Sequence, residues 1–264
     1  MLSKLLKYDL KWTLKNIFIF LGIGIFAGLC GRILELCFDS LFFTILVAVL
    51  KGTGLSLCLS ALVNCIIRPW VRFTINLYKD ESYLTNTLPI KREVHYLSKI
   101  LNAVICILIS MIGLVINLFI MYYSKENMEW LKNSINYVSS SLNISFVSFI
   151  ILTIILIIIE IIFIVMCGYF GIINGQSRNN KKVLYSFVYG FGAYIISSFI
   201  SLGIFMICSI FSKDLYNIIF EANTVIKFEI LKTLLIVSIV LYTVYTTILY
   251  LISNKKYTSG IEIE

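Results

Sequence analysis

The chain has 264 residues, of which 59% are apolar and 14% are charged, whereas an ordinary soluble domain is about 45–50% apolar and about 25% charged. The 22 basic and 14 acidic residues cannot form a polar shell around so much apolar surface, so lipid must be the solvent for most side chains. This composition excludes a soluble globule, a collagenous chain and a disordered one. It predicts an all-α integral membrane protein.

Residues 1–16 predict an amphipathic helix at the start of the chain. Its four lysines fall on one side and its leucines and Trp12 on the other, with Asp9 among the apolar residues. We expect this helix to lie in the inner membrane interface, with its lysines toward the lipid headgroups. The alternative is an ordinary basic flank of the first membrane span.

Six apolar stretches are long enough to cross a bilayer, which requires about 20 helical residues per span. The first two are separated by only a few residues around Asp39, so they predict a helical hairpin over 17–67. The remaining spans occupy 97–253, and a tail over 254–264 follows them. The whole chain is therefore expected to be a single transmembrane domain. The six stretches are 17–38, 41–67, 97–123, 143–172, 183–211 and 231–253.

The distribution of basic residues predicts which side of the membrane each loop occupies. With the N-terminus inside, fifteen Lys and Arg residues fall on the cytoplasmic side and five on the outer side. Loops on the cytoplasmic side of membrane proteins carry this excess. We therefore expect both termini to be cytoplasmic, and the net charge of +8 then reflects topology and anionic lipid. Nucleic acid is not needed to explain it.

The segment over 68–96, between the second and third spans, is too long for a plain connector. Wound as one helix, it places Phe73, Leu77, Leu84 and Leu88 in a narrow stripe bordered by Asp80 and Glu81, and Pro89 then interrupts the helix. Such a stripe is typical of a helix that binds in the groove of a partner protein. The alternative is a helix that lies on the lipid surface.

Four charged residues lie within the predicted spans, where a charge costs about 2.5–3.5 kcal/mol on insertion scales. Arg32 and Glu35 are three residues apart and can pair on one helix. This leaves Lys51 and Glu160 as a candidate pair between helices. These charges either line a substrate path or fix the helix packing, and the sequence leaves both interpretations open.

Small residues also recur at a spacing of four within the first two spans. Gly24 and Gly28 form this pattern on the first span, and Ala48 and Gly52 form it on the second. Such surfaces let helices approach closely, either within the hairpin or between two copies of the chain.

No catalytic or metal-binding motif is present. The sequence has no GxxxxGK[ST] loop, no HExxH and no GxSxG, and its seven cysteines show no CxxC spacing. We therefore expect neither an enzyme nor a metal site, and any ATPase must be another chain.

The run from Lys79 to Ile90, KDESYLTNTLPI, followed by LSKI over 97–100, resembles the first cytoplasmic loop of ABC-2 type permeases from Gram-positive bacteria, which commonly read DExYLTxTLP. The opening KLLKYDL over 4–10 is similar to the start of many of those permeases. The motif similarity covers about thirty residues, and the layout of six spans extends the resemblance over the chain.

The resemblance implies the transmembrane subunit of an ATP-driven exporter in the bacterial plasma membrane. Residues 1–16 would be its interfacial helix, the segment around 80–89 its coupling helix, and the loop over 212–229 would hold short outer helices. ATP and Mg would bind in a separate P-loop ATPase, and a second permease copy or a paralogue would complete the path for an antimicrobial or amphipathic peptide. Contacts with the ATPase would come from Leu77, Asp80, Glu81, Tyr83, Leu84, Thr85, Leu88 and Pro89.

Two other functions fit the same composition. An ion-coupled secondary transporter would use Lys51 and Glu160 in its site and would work without an ATPase. A membrane protein that binds a peptide without transporting it, for immunity or sensing, would show ligand binding without turnover.

Overall fold

A computed structural model describes residues 2–79, 81–87, 89–141, 146–211, 216 and 228–259. Every regular element in these ranges is an α-helix, which confirms the predicted all-α class. The helices are α1 (Leu2–Cys37), α2 (Leu41–Tyr78), α3 (Ser82–Thr87), α4 (Arg92–Tyr122), α5 (Lys125–Ser141), α6 (Phe146–Gln176), α7 (Lys182–Phe211) and α8 (Phe228–Ser259).

Six of these helices are long and apolar enough to cross a membrane: α1, α2, α4, α6, α7 and α8. Six candidate spans agree in number with the prediction and indicate a multi-pass membrane protein. The helices divide into two compact units, and the chain leaves the first for the second within α5, after Glu129. The sequence analysis did not predict α5.

The first unit packs α1, α2 and α4 side by side. α1 and α2 run antiparallel, and their closest approach lies at glycines: Cβ atoms added at Gly24 and Gly54 would lie 3.0 Å from Gly54 O and 2.9 Å from Gly24 O, respectively. The predicted small-residue surface of α1 is therefore the hairpin interface. Ala48 and Gly52 on α2 are exposed. The residue of α2 that contacts the glycines of α1 is Gly54.

The charged residues of the hairpin follow its register. α1 has no charge between Lys15 and Arg32, and α2 has none between Lys51 and Arg68, so each helix has sixteen uncharged residues. A Cβ atom added at Gly31 would lie 3.3 Å from Lys51 Cγ. Arg32, the residue after Gly31, therefore lies at the same level of the hairpin as Lys51. The uncharged zone is about 24 Å long, and basic side chains at its edges can extend toward water.

α1 continues without interruption from the predicted interfacial segment into the first span. Residues 2–16 are helical as expected, but they are not a separate helix. Asp9 and Thr13 are buried, and Thr13 Oγ1 donates a hydrogen bond to Asn102 Oδ1 of α4 at 2.8 Å. This part of α1 therefore packs against a neighbouring helix.

The second unit contains α6, α7 and α8. The turn between α6 and α7 brings Gly171 and Gly175 of α6 against the backbone of α7, where added Cβ atoms would collide with Ser186. At the same end of α6, Lys256 Nζ of α8 donates a hydrogen bond of 2.8 Å to Asn174 Oδ1. The predicted loop over 212–229 lies almost wholly outside the described residues.

Candidate functional site

Asp9 of α1 is the centre of a buried polar cluster in the first unit. Lys99 Nζ of α4 lies 2.6 Å from Asp9 Oδ1, and Arg72 Nε of α2 lies 3.3 Å from the same oxygen. Ser98 Oγ donates a hydrogen bond of 3.2 Å to Asp9 Oδ2. A buried carboxylate requires paired charges and satisfied oxygens, and here three residues from two neighbouring helices supply both.

Arg72 connects this buried carboxylate to the segment around α3. Its Nη1 atom donates hydrogen bonds to both carboxylate oxygens of Glu81, at 3.0 and 2.9 Å. The Arg72 side chain is 11% exposed and the Glu81 side chain 43% exposed, so the guanidinium group bridges a buried acid and a partly exposed one. Asp9, Arg72, Lys99 and Glu81 together carry no net charge.

A tryptophan covers the basic side of the cluster. The guanidinium groups of Arg68 and Arg72 lie 5.1 and 5.4 Å from the centre of the Trp12 ring. Cation–π contacts of this kind stabilise arginine away from water. Trp12 was expected on the apolar side of an interfacial helix, whereas here it contacts two cations of α2.

The prediction that residues 73–88 form one helix is wrong. α2 ends at Tyr78, the chain turns, and Ser82 N donates a hydrogen bond of 2.7 Å to Lys79 O before α3 begins. Phe73 and Leu77 are fully buried in the first unit, while Leu84 is 68% exposed. The predicted stripe is therefore divided between two helices, and Glu81, which precedes α3, accepts hydrogen bonds from Arg72 of α2.

The exposed surface of α3 is small and largely apolar. Tyr83 is 75% exposed beside Leu84, and Thr87 and Pro89 are exposed as well. Thr85 instead faces inward, where its hydroxyl donates to Glu81 O at 2.9 Å and accepts from Asn76 Nδ2 at 3.5 Å. Of the residues that the resemblance assigned to ATPase contacts, Asp80 and Leu88 lie outside the described residues, and Leu77 is buried in the first unit.

The charges at the far end of the first unit form a second cluster. Arg32 pairs with Glu35, as predicted, and Lys51 Nζ lies 2.7 Å from the other oxygen of Glu35. The prediction that Lys51 pairs with Glu160 is therefore wrong, because Glu35 lies within reach of it across the hairpin. Arg32 also donates to Tyr123 O at 2.7 Å, and Lys51 Nζ lies 5.2 Å from the centre of the Tyr122 ring.

The residues at the centre of the first cluster were not predicted as a site. Arg72 and Lys99 were counted only as cytoplasmic charges, and Asp9 only as an irregularity in an amphipathic pattern. That irregularity was the available signal, since an acid on the apolar face of a helix requires a cation on a neighbouring helix. The sequence could not identify the cation, because α1 and α4 are related by an offset of about ninety residues that no local pattern encodes.

The cluster joins α3 to all three long helices of the first unit. Its contacts connect α3 to Arg72 of α2, Arg72 to Asp9 of α1, and Asp9 to Lys99 of α4. Within the described ranges, no group of three or more His, Cys, Asp or Glu side chains could hold a metal ion.

The fold and its clusters define a class, a helical membrane protein with six candidate spans. Comparison of the chain with models of known protein families, with curated proteins and with solved structures gives no match.

Proposed function

We propose that this protein is the transmembrane permease subunit of an ABC exporter in the bacterial plasma membrane, with both termini in the cytoplasm. The observation that carries the proposal is α3, a short helix with exposed Tyr83 and Leu84 that is tied by Glu81 and Arg72 to a buried cluster. The resemblance of the run over 79–90 to the coupling loop of ABC-2 type permeases supports it.

In this proposal a separate P-loop ATPase binds the exposed face of α3. Closure of the ATPases on ATP and Mg would displace α3, and the Arg72 bridge would pass the displacement to Asp9 and Lys99. A coupling element of this kind has two positions whose populations the ligand shifts. A second permease copy or a paralogue would complete the path, and the substrate would be an antimicrobial or amphipathic peptide.

The experiment is a pull-down of the tagged chain from its native membrane in mild detergent, followed by mass spectrometry and an ATPase assay. We expect a stoichiometric P-loop ATPase that is lost in Leu84→Asp and in Tyr83→Asp, because both side chains are exposed. Glu81→Arg is a poorer test, since it would also break the bond to Arg72. Leu97→Asp, at a residue of α4 that is 37% exposed, serves as a control that should retain the ATPase.

Two outcomes would count against the proposal. A monodisperse preparation of the unaltered chain without any ATPase would remove the exporter assignment. An ATPase that remains bound in both α3 variants would retain the exporter but remove α3 as its contact.

One observation favours a second candidate, the ion-coupled secondary transporter. Glu160 is a carboxylate in the middle of α6, and an acid at such a depth is a common feature of ion-coupled sites. The sequence offered Lys51 as the partner of Glu160 in such a site, but Lys51 pairs with Glu35. Gradient-driven transport by the purified chain in vesicles, without nucleotide, would support this candidate over the exporter.

A further inference from the structure

Glu160 is the only charged residue in the central part of the second unit. It is the only charged residue of α6, α7 carries none after Lys182, and α8 carries none between Lys232 and Lys255. It lies thirteen residues from Val147 and sixteen from Gln176, or about 20 and 24 Å along the helix axis. The carboxylate is thus near the middle of a span, where an ion is costly unless it has a partner.

The described residues of this unit provide no cation for Glu160. No ion pair between two described residues includes Glu160. Glu160 is neither fully buried nor fully exposed, so a ligand can approach it. A mid-span acid without a cationic partner is the first of the two observations that point to a ligand.

The second observation is a group of aromatic rings beside the carboxylate. Phe163 is three residues from Glu160, so both lie on the same face of α6. The Phe163 ring centre lies 5.4 Å from that of Tyr242, 5.9 Å from that of Tyr245 and 6.2 Å from that of Tyr194. Tyr242 is also close enough to Glu160 to interact with it electrostatically.

The arrangement of these rings leaves one side open. Phe163 is 1% exposed and Tyr245 is 8% exposed, so they form the floor of the group. The Tyr245 hydroxyl is fixed by a hydrogen bond of 3.1 Å with Ser201 Oγ. Tyr194 is 40% exposed, and Glu160 is exposed to an intermediate degree. The group therefore combines buried rings, Phe163 and Tyr245, with an accessible ring, Tyr194.

A carboxylate beside tyrosine rings in an apolar zone is suited to one class of ligand. The faces of aromatic rings attract cations, most strongly where water is excluded, and the carboxylate adds an opposite charge. An anion would be repelled by Glu160, and a neutral apolar molecule would leave the carboxylate without a partner. We propose that Glu160, Tyr194, Tyr242 and Tyr245 form a binding site for an organic cation, a lipophilic molecule bearing an ammonium or phosphonium group.

In the proposed exporter, the site would select the amphipathic peptides that carry an ammonium group. That role rests on the proposed function, whereas the binding itself depends only on residues of the second unit. The binding experiment therefore uses the full chain purified without an ATPase partner and without nucleotide. A failure of the pull-down from native membranes and a failure of ligand binding are then separate results.

The test compares tetraphenylphosphonium with tetraphenylborate, ions of closely similar size and shape but opposite charge. Binding of each radiolabelled ion to the purified chain in detergent is measured by equilibrium dialysis. We expect saturable binding of tetraphenylphosphonium at about one site per chain and only unsaturable partition of tetraphenylborate. Glu160→Gln should weaken binding of the cation at least tenfold.

Matched variants separate the contribution of the rings from that of folding. Tyr242→Phe retains the ring and should bind as the unaltered chain does, whereas Tyr242→Leu should lose most of the affinity. Asp39→Asn removes an exposed acid in the turn between α1 and α2 and should change nothing. Size-exclusion profiles verify that each variant is folded. Equal binding of the two ions, or unchanged binding of the cation in folded Glu160→Gln, would overturn the proposal.

Discussion

The carboxylate of Asp9 and the ammonium group of Lys99 lie 2.6 Å apart, and each side chain is only 4% exposed. This contact joins the beginning of α1 to the beginning of α4, two helices that are parallel and distant in sequence. Arg72 of α2 contacts the same carboxylate oxygen. Asp9 is therefore the acid that Lys99 and Arg72 share, and Arg72 pairs with Glu81 as well.

Asp9→Asn should strongly destabilise the first unit. The amide is similar in size to the carboxylate but carries no charge, so Lys99 would remain buried without its acidic partner, whereas Arg72 would keep its bonds to Glu81. Removing one partner of a buried ion pair typically costs about 3–5 kcal/mol, and we expect a loss in that range. The free energy of unfolding in mixed micelles of detergent and sodium dodecyl sulfate measures it.

The matched control for this variant is Asp39→Asn, in the turn between α1 and α2. Asp39 is exposed, so its loss of charge should change the unfolding free energy by no more than about 0.5 kcal/mol. The double variant Asp9→Leu with Lys99→Met should recover part of the loss, since apolar replacement of a whole buried pair is often tolerated. Similar effects of Asp9→Asn and Asp39→Asn would show that the pair is not buried in the membrane-embedded protein.

The spans could be predicted because hydropathy is a property of consecutive residues. The helical hairpin around Asp39 and the Arg32–Glu35 pair follow from local spacing, and both occur in the structure. The partner of Lys51 depends on the register of two helices. Lys51 lies opposite Gly31, with Glu35 one turn further along α1, and that register is set by close approach at glycines, which a periodic pattern does not reveal.

The sequence predicts that the segment containing α3 is structured, but it does not predict that a turn separates α3 from α2. A long polar loop containing a proline indicates a structured segment, and α3 lies within it. A helical wheel treats 73–88 as one helix, however, and cannot represent the turn after Tyr78. The hydrogen bonds from Arg72 Nη1 to both carboxylate oxygens of Glu81 stabilise the turned segment. The two residues are nine positions apart, and the turn after Tyr78 brings them together.

The pairing of Lys51 with Glu35 predicts an energetic coupling between the two side chains. Lys51→Met removes the more buried cation, and Glu35→Gln leaves Lys51 and Arg32 without their shared acid. Because Glu35 is 39% exposed and Lys51 11% exposed, we expect a coupling energy of about 1 kcal/mol in a double-mutant cycle. Thermal unfolding of the two single variants and the double variant in lipid nanodiscs measures it.

The same cycle with Glu126→Gln in place of Glu35→Gln provides the comparison. Glu126 is an exposed acid in the first turn of α5, and its effect should add to that of Lys51→Met within about 0.5 kcal/mol. Equal coupling in the two cycles would mean that Lys51 responds to total charge and not to a specific partner.

The hairpin and α4 meet at Gly28, beside the side chain of Asn117. Asn117 Nδ2 donates hydrogen bonds of 3.1 Å to Gly54 O and to Cys58 Sγ, which hold its amide in one orientation. A Cβ atom at Gly28 would collide with Asn117 Oδ1 and would lie 2.9 Å from Met121 Cγ. The amide can move away only by giving up its bonds to α2, in a lipid-embedded interface where no water replaces them.

Gly28→Ala should therefore lower the unfolding free energy by about 1–3 kcal/mol, the usual cost of overpacking a well-packed core. Gly22→Ala is the matched control on the same helix, since nothing lies within 4 Å of an added Cβ atom there, and it should be neutral or slightly stabilising because alanine restricts the unfolded chain. Adding Asn117→Ala to Gly28→Ala should cost less than the two single effects combined, because the collision with Oδ1 disappears. If Gly28→Ala were as mild as Gly22→Ala, then α1, α2 and α4 would pack less closely at Gly28 than their register requires.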